Sequence, residues 1–162
     1  MRVYLPATVP LLRRWLADGQ APAGLGWAVT PGLREWYREG DEEEMEYVAQ
    51  LAAGRSSLGL LADDPGAPRR RVVVAADAPD LDVLPTGGAR GQVTVTVPLL
   101  CTRWASALVD APDAEAAVSA AVVALPAAAA GDDDAAFALD EAAAAELGWY
   151  AVQELEALLA DV

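Results

Sequence analysis

The residues in this chain best suited to chemistry are carboxylates and guanidinium groups. Asp77, Asp80 and Asp82 follow the apolar run Val72-Val73-Val74-Ala75-Ala76. In open α/β sheets, ligands bind beyond the C-terminal ends of strands. Carboxylates placed there suit Mg²⁺, which takes oxygen donors and keeps several waters. Asp77, Asp80 and Asp82 are therefore the candidate metal ligands, with a plain polar loop as the competing reading. Arg69-Arg70-Arg71 is the one basic run. Arg70 and Arg71 are candidates for an anion clamp through bidentate hydrogen bonds. The alternative is a structural pairing with the acidic stretch Glu42 to Glu46. Asp132-Asp133-Asp134 with Asp140 lacks the alternation of a calcium loop and reads as a solvated loop.

The missing residue types exclude more than the present ones suggest. The chain has no His and no Lys, its eleven basic residues all being Arg, and it has one cysteine, Cys101. Nucleophilic catalysis by Ser-His-Asp or Cys-His is thereby excluded. So are Schiff-base and P-loop chemistry, and a four-ligand zinc site of Cys and His within one chain. A single Cys forms no internal disulfide, which fits a reducing compartment. No residue is assigned a catalytic role. Mg²⁺ enters only under the alternative of a carboxylate-based metal-dependent enzyme.

The formal charge of −14 is unevenly spread. Residues 1–71 carry nine Arg against ten acids, whereas residues 72–162 carry two Arg against fifteen acids. The second half should repel nucleic acid and anionic membranes. It reads as a solvated face, or as a docking surface for a basic partner. No run approaches the ~20 strongly apolar residues of a membrane helix, and no signal-peptide pattern opens the chain.

Positioning these groups requires elements, and the punctuation for them is clear. Residues 2–5 read as a strand closed by Pro6. Thr8 then caps a helix that has Pro10 in its first turn and ends at Gly19. Residues 25–29 read as a strand, and Thr30-Pro31 opens a helix whose apolar face is Leu33, Trp36 and Tyr37. Asp41 with Glu44 fits a capping box for a helix reaching about residue 62. Its expected buried stripe is Tyr47, Leu51, Gly54, Leu58 and Leu61. Val72 to Val74 is the expected central strand, buried on both faces. Residues 77–91 read as loop, Gln92 to Val97 as a half-exposed strand, and 103–109 as a possible strand. A helix is expected from Asp113 to about 125, then a loop through the Ala tract, then a last helix over about 141–160. On that helix Trp149 and Tyr150 fall off the stripe centred on Leu155. That makes them candidate interface residues.

Four segments together resemble a family of small acidic actinobacterial proteins of unknown function. They are Met1-Arg2-Val3-Tyr4-Leu5-Pro6-Ala7-Thr8, Leu33-Arg34-Glu35-Trp36-Tyr37, Arg70-Arg71-Val72-Val73-Val74, and Trp149-Tyr150 with Gln153-Glu154-Leu155. The resemblance covers nearly the whole chain. It implies a bacterial cytoplasmic protein and brings no activity. The element order predicts one α/β domain over residues 1–162, a mixed sheet of about four to five strands covered by helices. The alternative is an α+β two-layer sandwich. The expected function is a non-enzymatic interaction protein, docking a basic partner through its acidic half or self-associating. The alternative is the metal-dependent enzyme or a small-ligand-binding protein.

Overall fold

The computed structural model describes residues 1–162. In chain order the elements are β1 (Arg2–Ala7), α1 (Val9–Asp18), β2 (Gln20–Ala21), β3 (Gly24–Ala28), α2 (Pro31–Trp36) and α3 (Glu42–Asp63). They continue with β4 (Val72–Asp77), β5 (Val83–Pro85), β6 (Gln92–Val95), β7 (Leu99–Leu100) and β8 (Trp104–Asp110). The last are α4 (Glu115–Ala129), α5 (Asp133–Ala144), β9 (Leu147–Tyr150) and α6 (Leu155–Ala160).

The main sheet has seven strands in the order β5-β6-β3-β1-β4-β8-β9, and β2 and β7 form a separate two-stranded ribbon. Every pairing is antiparallel, so the mixed sheet of four to five strands is corrected in both count and direction. Short strands such as β5 and β9, and the two-residue ribbon, offer too few residues for a period to be read. Only β1–β3 and β8–β9 are neighbours joined by helical connections; the other pairs are joined by loop or are not sequential, so the helix–strand alternation in the sequence does not report strand direction. The α/β class stands.

Val72, Val73 and Val74 are fully buried, as expected of a strand covered on both faces. The two faces have different cores. Val3, Leu5, Val72, Val74, Ala107 and Val109 meet Leu12 and Trp15 of α1 and Leu155 and Leu159 of α6. Tyr4, Val73, Ala75 and Leu108 face the other way, onto Ala49 and Ala53 of α3. A third cluster joins the C-terminal half of α3 to the α4–α5 hairpin through Leu58, Leu61, Val118 and Leu139.

Several local readings hold. Thr8 Oγ1 accepts from the Leu11 amide, and Gly19 ends α1 in the left-handed conformation at φ 74°. Asp41 and Glu44 form the reciprocal capping box of α3. Others need correction. The first strand runs through Pro6 to Ala7, because the ladder to β3 stops at Tyr4 and only the β4 side continues. Of the expected stripe of α3, Gly54, Leu58 and Leu61 are buried, together with Met45, Ala49, Ala53 and Ser57, while Tyr47 and Leu51 lie at the exposed margin. Small residues win that face because the helix lies close on the sheet. Trp36 is exposed, and the Arg90 guanidinium stacks 3.9 Å from its ring centroid.

The largest difference lies in the last fifty residues. α4 continues through Pro126 to Ala129, and Asp132 caps a new helix, α5. The expected last helix is instead the end of α5, the strand β9 and the short α6. The segment Pro112–Ala129, with mean hydropathy 1.2 over 18 residues, is long and apolar enough by length and composition to cross a membrane, contrary to the expectation of none. Half of its residues are alanine, and although Val118 and Ala121 of α4 are buried in the cluster with α3 and α5, most of the segment is not buried.

Candidate functional site

The carboxylates beyond β4 do not converge. Asp77 accepts from Arg2 Nε at 2.8 Å, which raises the guanidinium pKa above its usual value. Asp80 accepts from the Met1 amino group at 2.9 Å. Asp82 accepts from Thr96 Oγ1 at 3.2 Å. Asp77 and Asp80 both hold the N-terminal residues, and Asp82 holds the chain just after β6. No three His, Cys, Asp or Glu side chains gather closely enough to hold a metal ion.

The arginine run divides in the same way. Arg69 caps the C-terminal end of α3, donating to the carbonyls of Leu61, Asp64 and Pro65, where a cation suits the negative end of the helix dipole. Arg70 points to α4, with its buried Nε unpaired and Glu115 at 3.8 Å. Arg71 turns inward and forms a buried ion pair with Asp110, at 2.7 Å between Nη2 and Oδ1. The pairing is structural, but its partners are Asp110 and Glu115, not the first turn of α3.

Trp149 and Tyr150 are on strand β9, not on a helix. β9 is an edge of the sheet, and Trp149, opposite Leu108, is 63% exposed. Tyr150 turns to the other face and packs against the α1–α6 core.

A cleft opens elsewhere, between α1, the β2–β3 turn and α3. Its volume is about 480 Å³. Leu5, Leu11, Trp15 and Leu60 give it apolar walls, and Arg14, Asp18 and Gln20 bring polar groups from one stretch of chain. Arg14 and Asp18 are four apart on α1 and so share a face. Arg14 makes no hydrogen bond and no ion pair within the chain. Ser56, also in the wall, accepts a hydrogen bond from Trp27 Nε1 at 2.9 Å. Apolar walls of this size with few polar groups are what small-molecule sites have in common.

A model of the DUF6912 family, described as a family of unknown function, matches residues 1–159. The chain belongs to that family. Comparison with curated proteins and with solved structures returns no match. In this DUF6912 chain the cleft was not legible from the sequence. Its walls come from β1, α1, β3 and α3, which are distant in the chain. The one local signal is Arg14, a cation beside the apolar stripe of α1 with no acid three or four residues before it.

Proposed function

We propose that the chain is a non-catalytic cytoplasmic binding protein that takes a small, largely apolar carboxylic acid in the cleft between α1 and α3. The observation that carries this reading is the unpartnered Arg14 guanidinium at the rim of a 480 Å³ apolar cleft. An alkyl or aryl body would cover Leu11, Trp15 and Leu60, and its carboxylate would meet Arg14 in a charge-assisted bond. Asp18 beside Arg14 restricts the headgroup to one that approaches from the Arg14 side. No cofactor enters this reading.

The test titrates octanoate and octanol into the protein and follows methyl and indole resonances of Leu11, Leu60 and Trp15. The expected result is saturable binding of octanoate, weakened in Arg14→Gln more than octanol is. Ala23→Trp, at an exposed position of the rim, fills the cleft and abolishes both. Absence of saturable shifts at millimolar octanoate overturns the proposal.

A second reading rests on a different observation, the exposed Trp149 on the edge strand β9, whose outer side has no strand partner. Here the acidic second half docks a basic partner, or β9 pairs with a second copy of the chain. Sedimentation with and without an oligoarginine peptide, at low and moderate salt, separates the two. Salt-sensitive binding lost in Trp149→Ala supports docking, and concentration-dependent dimers support self-association.

A further inference from the structure

A second, smaller cavity of about 240 Å³ lies between the N-terminal half of α3 and β9. Arg71 is at its floor, with the residue 2% exposed. The hydrogen bonds of that guanidinium are unevenly used. Nε donates to Asp110 Oδ2, and Nη2 donates to Asp110 Oδ1 and to the Ala145 carbonyl. Nη1 donates to nothing in the chain. It is not sealed in either, since the one buried, unpaired side-chain nitrogen or oxygen is Arg70 Nε. Nη1 of a buried arginine is therefore accessible and unpaired, beside Gly54 in the cavity wall.

Gly54 of α3 keeps that opening clear. A Cβ at this position would sit 3.8 Å from Arg71 Nη1 and 3.6 Å from Leu147 Cδ1. The neighbouring walls are Tyr47, Leu51 and Leu147, with Gln50 beside them. Tyr47 is 51% exposed and Leu51 37%, large apolar side chains at the mouth of a polar floor.

The charge selects the ligand. Asp110 already neutralises Arg71, and Glu146 lines the cavity as well. In a chain of net charge −14 this floor offers hydrogen bonds without attracting an anion. A carboxylate would be repelled, and a bare cation would find N–H donors. We propose that this cavity is a binding site for a small neutral carboxamide with a flat apolar body. The carbonyl oxygen accepts from Arg71 Nη1, the amide N–H donates to the Gln50 side-chain oxygen, and the body covers Tyr47, Leu51 and Leu147. The site is separate from the cleft at Arg14 and does not depend on it.

The test uses benzamide, benzoate and benzamidine, which share a ring and differ in charge. Each is titrated into the isotope-labelled full chain while amide resonances of Gly54 and Leu147 and the Arg71 guanidinium are followed. The expected result is saturable shifts at these positions with benzamide, at least about five-fold tighter than with either charged analogue. Gly54→Ala places a methyl group over Nη1 in ordinary contact distance and should abolish the shifts while the chain remains folded. No shifts with benzamide, equal or tighter binding of benzoate, or unchanged binding in Gly54→Ala would each overturn the proposal.

Discussion

Arg71 and Asp110 meet through three donors and one carboxylate. The Arg71 backbone amide and Nε each lie 2.8 Å from Oδ2, and Nη2 lies 2.7 Å from Oδ1. The Asp110 amide returns a bond to the Arg71 carbonyl at 3.1 Å. Strands β4 and β8 are thus pinned at one end by side chains as well as by their ladder. Breaking a buried pair leaves an uncompensated charge, which costs more than the pair contributes. Asp110→Ala should therefore destabilise the fold by about 3–5 kcal/mol in urea unfolding. Joint replacement, Arg71→Met with Asp110→Leu, should cost much less than the single change. A loss below about 1 kcal/mol in Asp110→Ala would contradict the burial argument.

Tyr4 sets a pH limit. Burial pushes its phenol up to about 12, and the neighbouring Glu46 carboxylate adds to the shift. An unfolded tyrosine ionises near pH 10. Above that pH the unfolded chain releases a proton that the native chain retains, so stability falls as pH rises through about 10 to 12. Below pH ~10 the contribution is intact. The full loss is on the order of 2–3 kcal/mol. Stability curves of Tyr4→Phe and the parent should run parallel up to about pH 10 and then converge or cross.

The capping box of α3 is a local contribution. Asp41 Oδ1 accepts from the Glu44 amide at 2.8 Å, and Glu44 Oε2 accepts from the Asp41 amide at 3.1 Å. Asp41→Ala should cost about 1 kcal/mol. For a domain of this size that lowers the melting temperature by roughly 2–4 °C. No change in thermal melting would mean that solvent satisfies the freed amides equally well.

Cys101 is half-buried, with its sulfur 3.8 Å from the Trp15 carbonyl. Burial raises its thiol above the ordinary value, so little thiolate is present at neutral pH. Alkylation by iodoacetamide at pH 7 should be slow in the folded protein and accelerate in denaturant. Equal rates in the two states would argue against burial of this thiol.

The parts of the fold that were legible are those governed by a few adjacent residues. Thr8 with Gly19, Thr30 with Pro31, and Asp41 with Glu44 each satisfy backbone groups within one turn, and each marks an element correctly. Val72 to Val74 is legible because full burial leaves no alternation. Asp132 carries the same kind of cap signal at Ala135, but the alanines before it hide the helix break. Leu147-Gly148-Trp149-Tyr150 is too short to display a period, and only pairing with β8 makes it a strand. The partners of Arg70 and Arg71 are about forty residues away, at Glu115 and Asp110. Spacing along the chain has no bearing on such choices. Both cavities are assembled from residues still farther apart, Leu5 to Leu60 in one and Tyr47 to Leu147 in the other, which is why neither could be anticipated.

The register of β1 against β4, with Arg2 opposite Asp77 and Ala7 opposite Val72, bears on how the chain is made. At a synthesis rate of 5–20 residues per second, some 4–15 s separate the emergence of the two strands. Throughout that interval Val3 and Leu5 lack their β4 neighbours Ala76 and Val74, and β3, which emerges earlier, can pair only with Val3 and Tyr4. Contacts this far apart in sequence also slow refolding. A nascent chain halted before residue 72 should thus be a client for ribosome-associated chaperones, whereas one extended past residue 110 carries β1, β3, β4 and β8 together.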